Sequence, residues 1–160
     1  MSTGMVPFVR FFPQQGTAET RVLTIRGHPI LPDDEYALLE SFCDDPRCNC
    51  RRVMLNVIGR RQQDILASIG YGFDRGQELA GPFLDPLNPQ STYAGTLLKL
   101  VAQVLADPTY AARLEAHYYQ LKRAAAGPSH STHQMPARHA KANKTKPQRQ
   151  RQSGTRKKRK

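Results

Sequence analysis

The sequence predicts an α+β fold in which a mostly antiparallel sheet of about five strands is followed by two antiparallel helices. Short apolar or alternating runs, separated by turn-forming residues, occupy the first half of the chain and are typical of strands. Apolar residues then recur at helical spacing within residues 97–126. A run of strands followed by a run of helices favours a domain whose helices cover one face of the sheet.

Five segments are predicted to be strands, and they span residues 6–12, 21–26, 36–42, 52–58 and 65–69. The first two are separated by the turn-prone sequence Pro13-Gln-Gln-Gly16. The fourth is apolar on both of its alternating sets of residues, which favours a place near the centre of the sheet. A hairpin turn at residues 59–63 joins it to the fifth strand, which ends where Gly70 and Gly72 interrupt the pattern.

Two helices are predicted after a proline-rich connector at residues 81–89. Ser91 or Thr92 can cap the first helix, which stops at Asp107. Asp107 then serves as N-cap of the second helix, with a proline in its first turn, and this helix runs as far as Ala126. The apolar stripe of the first helix consists of Leu97, Leu98, Val101, Val104 and Leu105, and that of the second consists of Tyr110, Leu114, His117, Tyr118 and Leu121.

Charge divides the chain into two parts. Residues 1–136 contain 13 basic and 13 acidic residues, whereas residues 137–160 contain 11 basic and no acidic residues, so the net charge of +11 comes entirely from the end of the chain. Residues 128–160 are rich in Ser, His, Gln, Pro, Lys and Arg, a composition typical of disorder. We therefore predict a folded domain at residues 1–127 and a disordered basic tail at residues 128–160.

All three cysteines lie within eight residues, as Cys43-Asp-Asp-Pro-Arg-Cys48-Asn-Cys50. Their odd number and tight spacing argue against a disulfide scaffold and favour a reducing compartment, which we take to be the cytoplasm. Residues two apart on a strand point to the same side, so Cys48 and Cys50 are expected to face Cys43 across a chain reversal. We predict that the three thiolates bind zinc, with Arg47, Arg51 and Arg52 offsetting the negative charge.

A structural zinc site needs a fourth ligand, and the sequence offers several candidates. His28 is the first choice, because it follows a predicted strand and could lie at the same end of the sheet as the cysteines. His117 is the second choice, from a helix face. Asp44 or Asp45 could supply an oxygen instead, and a water molecule in the fourth position would leave the site open and potentially catalytic.

Other interpretations of the cysteines remain open. They could be unligated, partly buried thiols, a redox switch between Cys43 and Cys48, or a reactive thiol with His28 as its base. The Cys48-Asn-Cys50 element is similar to part of the SEC-C-type metal motif. The second half of that motif, a later Cys-Cys or Cys-His pair, is absent from this chain, so no property of the family is carried over.

The basic tail predicts nonspecific contact with nucleic acid, because a flexible polycation can neutralise phosphates without reading bases. No aromatic residue follows Tyr119, so the tail has no stacking platform for single strands. A solubilising tail, an acidic-membrane contact and a nuclear-import patch are the alternatives. The predicted contact residues are Arg138, Lys141, Lys144, Lys146, Arg149, Arg151, Arg156, Lys157, Lys158, Arg159 and Lys160.

These observations favour a small zinc-binding accessory or adaptor protein of the cytoplasm, with nonspecific affinity for RNA or DNA. Binding is favoured over catalysis. The alternatives are a protein-interaction module with a solubilising tail, and a thiol- or zinc-dependent enzyme or redox switch using the cysteines. No membrane partner is expected, because the longest apolar helical stretch, residues 97–106, carries Lys99 and Gln103 and is too short to span a bilayer.

Overall fold

A computed structural model describes residues 4–127, whereas residues 1–3 and 128–160 lie outside the described part of the chain. The predicted tail and its boundary therefore stay predictions. The strands are β1 (Met5–Pro7), β2 (Arg21–Ile25), β3 (Asp34–Cys43), β4 (Arg52–Gly59), β5 (Ile65–Gly72) and β6 (Phe83–Leu84). The helices are α1 (Phe8–Phe11), α2 (Pro13–Glu19), α3 (Ala94–Leu105) and α4 (Pro108–Ala126).

The strands form one sheet in which every pairing is antiparallel, which confirms the predicted α+β class. The order is β1-β3-β4-β5-β6, and β2 also pairs with β3. On the side of β3 away from β4, β1 pairs with residues 41–43 and β2 pairs with residues 34–38. Strands β3 and β4 therefore form the centre of the sheet, as the two-sided apolar pattern of residues 52–58 predicts.

The predicted first strand is wrong beyond Pro7, because the chain turns into helix α1 at Phe8. The predicted turn at residues 13–16 instead begins α2, where Pro13 at the first helical position loses no intrahelical hydrogen bond. Phe8 and Phe12 are four residues apart, and their rings lie 4.9 Å apart with Phe8 in the core. Gly16 allows α2 to approach α1, since an added Cβ would lie 2.8 Å from Cα of Val9.

One face of the sheet is covered by the helices. The apolar stripe predicted for the second helix is confirmed, because all five of its residues are buried. Asp107 caps α4 as predicted, accepting a hydrogen bond from the backbone N–H of Thr109 at 2.9 Å. The largest fully buried side chains are Tyr36, Phe42, Leu38, Leu55, Ile69, Leu97, Leu114, Leu121, Val53, Val57, Val101 and Ser68.

The connector between β5 and α3 folds over the other face of the sheet. It contains the short strand β6, which the sequence pattern did not predict, and the ring of Phe83 lies so close to Gly70 that an added Cβ would come within 2.5 Å of it. The side chain of Gln90 bonds to both the N–H and the C=O of Ser68, each at 3.0 Å. Within residues 4–127, none of the helices has the length and hydrophobicity needed to cross a membrane.

Candidate metal centre

The structure brings the three cysteines together where the central strands β3 and β4 are joined. Cys43 is the last residue of β3, and Cys48 and Cys50 lie in the loop that leads to β4. The three sulfur atoms all lie within 4.8 Å of one another, and no disulfide links them. The side chains are half-buried. These cysteines could therefore hold a metal ion.

A tight turn at Asp45 gathers the sulfur atoms. The side chain of Asp45 accepts a hydrogen bond from the N–H of Arg47 at 2.9 Å, and its carbonyl accepts one from the N–H of Cys48 at 3.1 Å. This is the local bonding by which an aspartate stabilises a chain reversal. The pKa of Asp45 is lowered, mainly by the Arg47 N–H and also by the nearby charges of Arg47 and Lys122. An ionised Asp45 thus stabilises the turn.

Lys122 of α4 supplies the cation that faces the cysteine loop. Its ammonium donates to the carbonyl of Asp45 at 2.5 Å and to the carbonyl of Cys48 at 2.8 Å. Both carbonyls belong to backbone outside regular secondary structure, where they need a partner. Lys122 therefore fixes the loop against the helix and places a positive charge beside the sulfur atoms.

Arg51 holds the other end of the loop. Its guanidinium donates to Asp74 at 2.8 Å and to Glu115 at 2.7 Å, and it also donates to the hydroxyl of Tyr119. These partners raise the pKa of Arg51, with Asp74 contributing most. Because two carboxylates neutralise this guanidinium, Arg51 is a structural ion-pair residue. Its charge is thus already paired with carboxylates, whereas the charge of Lys122 is among the causes that lower the pKa of Cys48.

Cys48 and Cys50 differ in how readily they lose the thiol proton. The pKa of Cys48 is lowered, first by the backbone N–H of Cys50 and then by the thiol of Cys50, with smaller effects from Cys43 and Lys122. Burial and the neighbouring sulfur atoms raise the pKa of Cys50 to about 11. The thiolate, which is the form that binds metals and reacts as a nucleophile, is therefore favoured at Cys48 and disfavoured at Cys50.

His28 is not placed where it could complete this group. It lies between β2 and β3, and its Nδ1 accepts hydrogen bonds from the N–H groups of Ile30 and Leu31, each at 3.1 Å. This loop precedes Asp34 at one end of β3, whereas Cys43 is at the other end. A ten-residue strand spans roughly 30 Å at about 3.3 Å per residue, so the two sites lie at opposite ends of the sheet.

His117 is also occupied elsewhere. Its Nδ1 lies 2.6 Å from Glu40 and its Nε2 lies 2.7 Å from Glu19, while its ring stacks on that of Phe8 at 4.1 Å. Burial alone would lower the pKa of His117, but the two carboxylates outweigh this effect and raise it. Its two ring nitrogens bond to carboxylates that favour its protonated form, and these contacts join α4 to β3 and α2.

Among residues 4–127, the three cysteines form the only group of three or more His, Cys, Asp or Glu residues whose ligand atoms all lie within 4.8 Å of one another, and it includes neither Asp44 nor Asp45. Sequence reasoning missed Lys122, although a signal for it exists. Glu115, Tyr119 and Lys122 follow one another at spacings of four and three residues, which places them on one polar stripe of α4. All three contact the cysteine loop or Arg51 beside it.

The predicted nucleic-acid contacts, from Arg138 to Lys160, lie outside the described residues, so the structure does not test them. Within the described part, the basic side chains of Arg51 and Arg60 are paired with acidic groups.

Comparisons of the chain with protein-family models, with curated proteins and with solved structures find no match in any of the three.

Proposed function

We propose that this chain is a small zinc-binding accessory or adaptor protein whose metal is held by Cys43, Cys48 and Cys50. The observation that carries the proposal is the convergence of the three sulfur atoms to within 4.8 Å of one another. Zinc–sulfur bonds of about 2.3 Å put the sulfur atoms of a tetrahedral site roughly 3.8 Å apart, so only a small contraction is needed. Thiolate ligands favour zinc over magnesium or calcium, which prefer oxygen.

Charge balance supports a three-thiolate site. Three thiolates and a zinc dication carry a net charge of −1. The ammonium of Lys122, which bonds to the carbonyls of Asp45 and Cys48, can offset this charge. The lowered pKa of Cys48 favours its thiolate, and metal binding displaces the thiol protons that remain. A water molecule takes the fourth position in this proposal, since no fourth donor among residues 4–127 joins the group.

The metal would stabilise the chain reversal between the two central strands. Cys43 ends β3 and Cys50 lies two residues before β4, so a bound ion closes a short loop at the sheet end. Binding free energy at such a site contributes directly to folding when the unfolded chain lacks the site.

Metal analysis of the purified protein tests this function. The wild type should contain about one zinc per chain, and Cys48→Ser should weaken zinc binding at least tenfold, because a hydroxyl is a poor zinc ligand. His28→Ala is the matched control and should leave zinc affinity unchanged, since His28 lies at the opposite end of β3. A metal-free wild type, or zinc binding unaffected by Cys48→Ser, would contradict the proposal and favour a redox or reactive thiol.

The same proposal assigns residues 137–160 to nonspecific contact with nucleic acid. The observation in its favour is the concentration of 11 basic and no acidic residues in this segment of an otherwise neutral chain. Binding by counterion release should weaken steeply as salt is added. The logarithm of the binding constant should fall against the logarithm of the salt concentration with a slope of about −0.7 per neutralised phosphate of single-stranded RNA.

Because free thiolate ligands require reducing conditions, we assign the protein to the cytoplasm.

A salt titration of RNA binding measures this contact. Deleting residues 137–160 should reduce affinity at least tenfold at low salt and flatten the salt dependence, because all of the excess charge is removed. A full-length variant with the 11 basic residues changed to Gln controls for chain length. RNA binding that persists in both variants would show that the folded domain, and not the tail, contacts RNA. No RNA binding by the wild type would favour the protein-interaction module with a solubilising tail.

A further inference from the structure

Strand β2 has a free edge. Its residues, Arg21–Ile25, pair with β3 on one side, and within residues 4–127 no strand pairs with the other side. A strand in this position presents unpaired backbone N–H and C=O groups to solvent, which is a template for another strand. The edge is five residues long, close to the length of an ordinary strand.

This edge carries few of the features that usually prevent strand addition. Proteins protect exposed edges with lysine, proline, bulges or inward-pointing charges. The sequence Arg-Val-Leu-Thr-Ile contains no lysine, proline or glycine, and its register with β3 is unbroken. Its single charge, on Arg21, lies at one end and on the helical side of the sheet, 5.9 Å from the centre of the Tyr110 ring. Val22, Thr24 and Ile25 are β-branched residues that favour strand pairing.

Both faces beside the edge are open, and each is lined by apolar residues together with polar ones, such as Gln103 and Asp107 on the helical side and Glu35 and Arg60 on the other. On the helical side, a groove of about 410 Å³ runs between β2 and α3, where Leu100 and Val104 are half-buried. On the other side, a groove of about 400 Å³ is lined by Val22, Ala37 and Ile58. These three residues are direct cross-strand neighbours, and Ile65 continues the row on β5. Val22 remains 46% exposed, so an added strand would bury apolar surface on both faces.

The edge is self-complementary in the antiparallel direction. When two copies of β2 pair about Leu23, Val22 of one copy lies opposite Thr24 of the other, and Arg21 lies opposite Ile25. The two Arg21 side chains are then separated by about 14 Å along the strands, which exceeds the Debye length of about 8 Å at physiological salt. Parallel pairing would place like charges side by side. The charge pattern therefore selects an antiparallel pair of identical strands.

We propose that two copies of this chain associate through β2, forming one continuous antiparallel sheet across a two-fold axis. Such isologous pairing uses the same patch of each copy and closes the assembly at a dimer. It also removes the only unpaired side of β2 in the described structure. The α3 helices of the two copies then flank the new pair of strands on the same face.

Light scattering during size-exclusion chromatography tests the proposal. The full chain has a mass of 18.0 kDa, so the wild type at about 0.5 mM should give about 36 kDa. Thr24→Lys adds a charge to the centre of the exposed edge and should give a monomer. Thr92→Lys is the matched control, because Thr92 is also exposed but lies before α3, and it should remain a dimer. A reducing agent and about 0.5 M salt exclude disulfide-linked pairs and association through the tail.

Amide hydrogen exchange locates the interface independently of mass. Within residues 21–25, the backbone amides that point away from β3 should exchange at least tenfold more slowly at high protein concentration than at low concentration. A wild type that is monomeric at about 0.5 mM would overturn the proposal, whichever other partner the edge accepts. A Thr24→Lys variant that remains dimeric, or concentration-dependent protection confined to other segments, would overturn it as well.

Discussion

The contact between His117 and two glutamates is the structural feature whose energy can be tested most directly. His117 is 3% exposed, and its nearer carboxylate partner, Glu40, is almost equally buried, whereas the side chain of Glu19 is 38% exposed. Most of the interaction energy should therefore come from Glu40, since solvent screens the contact with Glu19. His117→Gln keeps much of the side-chain volume but removes the cation and one ring nitrogen.

This substitution should lower the free energy of unfolding by about 3–5 kcal/mol at pH 6, because it leaves a buried carboxylate without its cationic partner. Urea unfolding followed by circular dichroism measures the difference. The control is His28→Asn, whose side chain can accept the hydrogen bonds that Ile30 and Leu31 donate to His28. That variant should change the free energy of unfolding by less than about 1 kcal/mol.

The pH dependence provides a second measurement. The pKa of His117 is raised in the folded state, so its stabilising effect is fully present below its unfolded pKa of about 6.5 and is lost as the pH rises through the folded value. The pKa of Glu19 is lowered, chiefly by Gln15 and then by His117, so its contribution is lost at acidic pH. The difference between wild type and His117→Gln should thus be largest near pH 6 and decrease above it. Equal stabilities at pH 6, or a difference that is flat from pH 6 to 9, would refute this reasoning.

Three further predictions concern the cysteine loop and the packing of the N-terminal helices. Lys122→Met should lower the free energy of unfolding by about 1.5–3 kcal/mol and weaken zinc binding, because two loop carbonyls lose a charged donor. Urea unfolding and zinc titration measure the two effects. Lys99→Met is the control, because Lys99 is exposed, and it should change neither quantity. Removing zinc with a chelator should lower the thermal midpoint of the wild type but not of Cys48→Ser; an equal drop in both would point to nonspecific effects. Gly16→Ala should cost about 1–3 kcal/mol because its Cβ would meet α1, while Gly95→Ala, which has open space, should be neutral or stabilising in the same urea assay.

The sequence correctly predicts those elements whose residue pattern fits only one type of secondary structure. Strands β2 to β5 alternate or are apolar throughout, and α4 has an aspartate cap, a first-turn proline and a five-residue apolar stripe. Residues 6–12 have two interpretations, because an apolar run of this length fits a strand or a short helix. Only the packing of Phe8 against Phe12, Phe42 and His117 selects the helix.

The cysteine site was predicted as far as local spacing allowed. A turn of a few residues brings Cys43 near Cys48, which the sequence predicts without knowledge of the sheet. The position of His28 depends on which end of β3 each loop occupies, and nothing in the spacing of His28 and Cys43 determines this. The contact of Lys122 with Cys48 spans 74 residues, and it depends on where α4 crosses the sheet.

Helix α4 contributes both to the buried contact of His117 and to the contacts with the cysteine loop. The spacing of residues along the helix explains how one helix does both. Tyr110, Leu114 and His117 lie on its buried stripe, so this stripe fills the core and forms the ion pair with Glu40. The neighbouring polar stripe, which ends at Lys122, faces the cysteine loop instead. Because both stripes belong to one rigid element, a bound metal that fixes the loop also fixes the rotation of α4 about its axis. Loss of the metal should therefore loosen the Lys122 contacts before it affects the core, since the buried stripe is held by packing and by the contacts of His117 with Glu40 and Glu19.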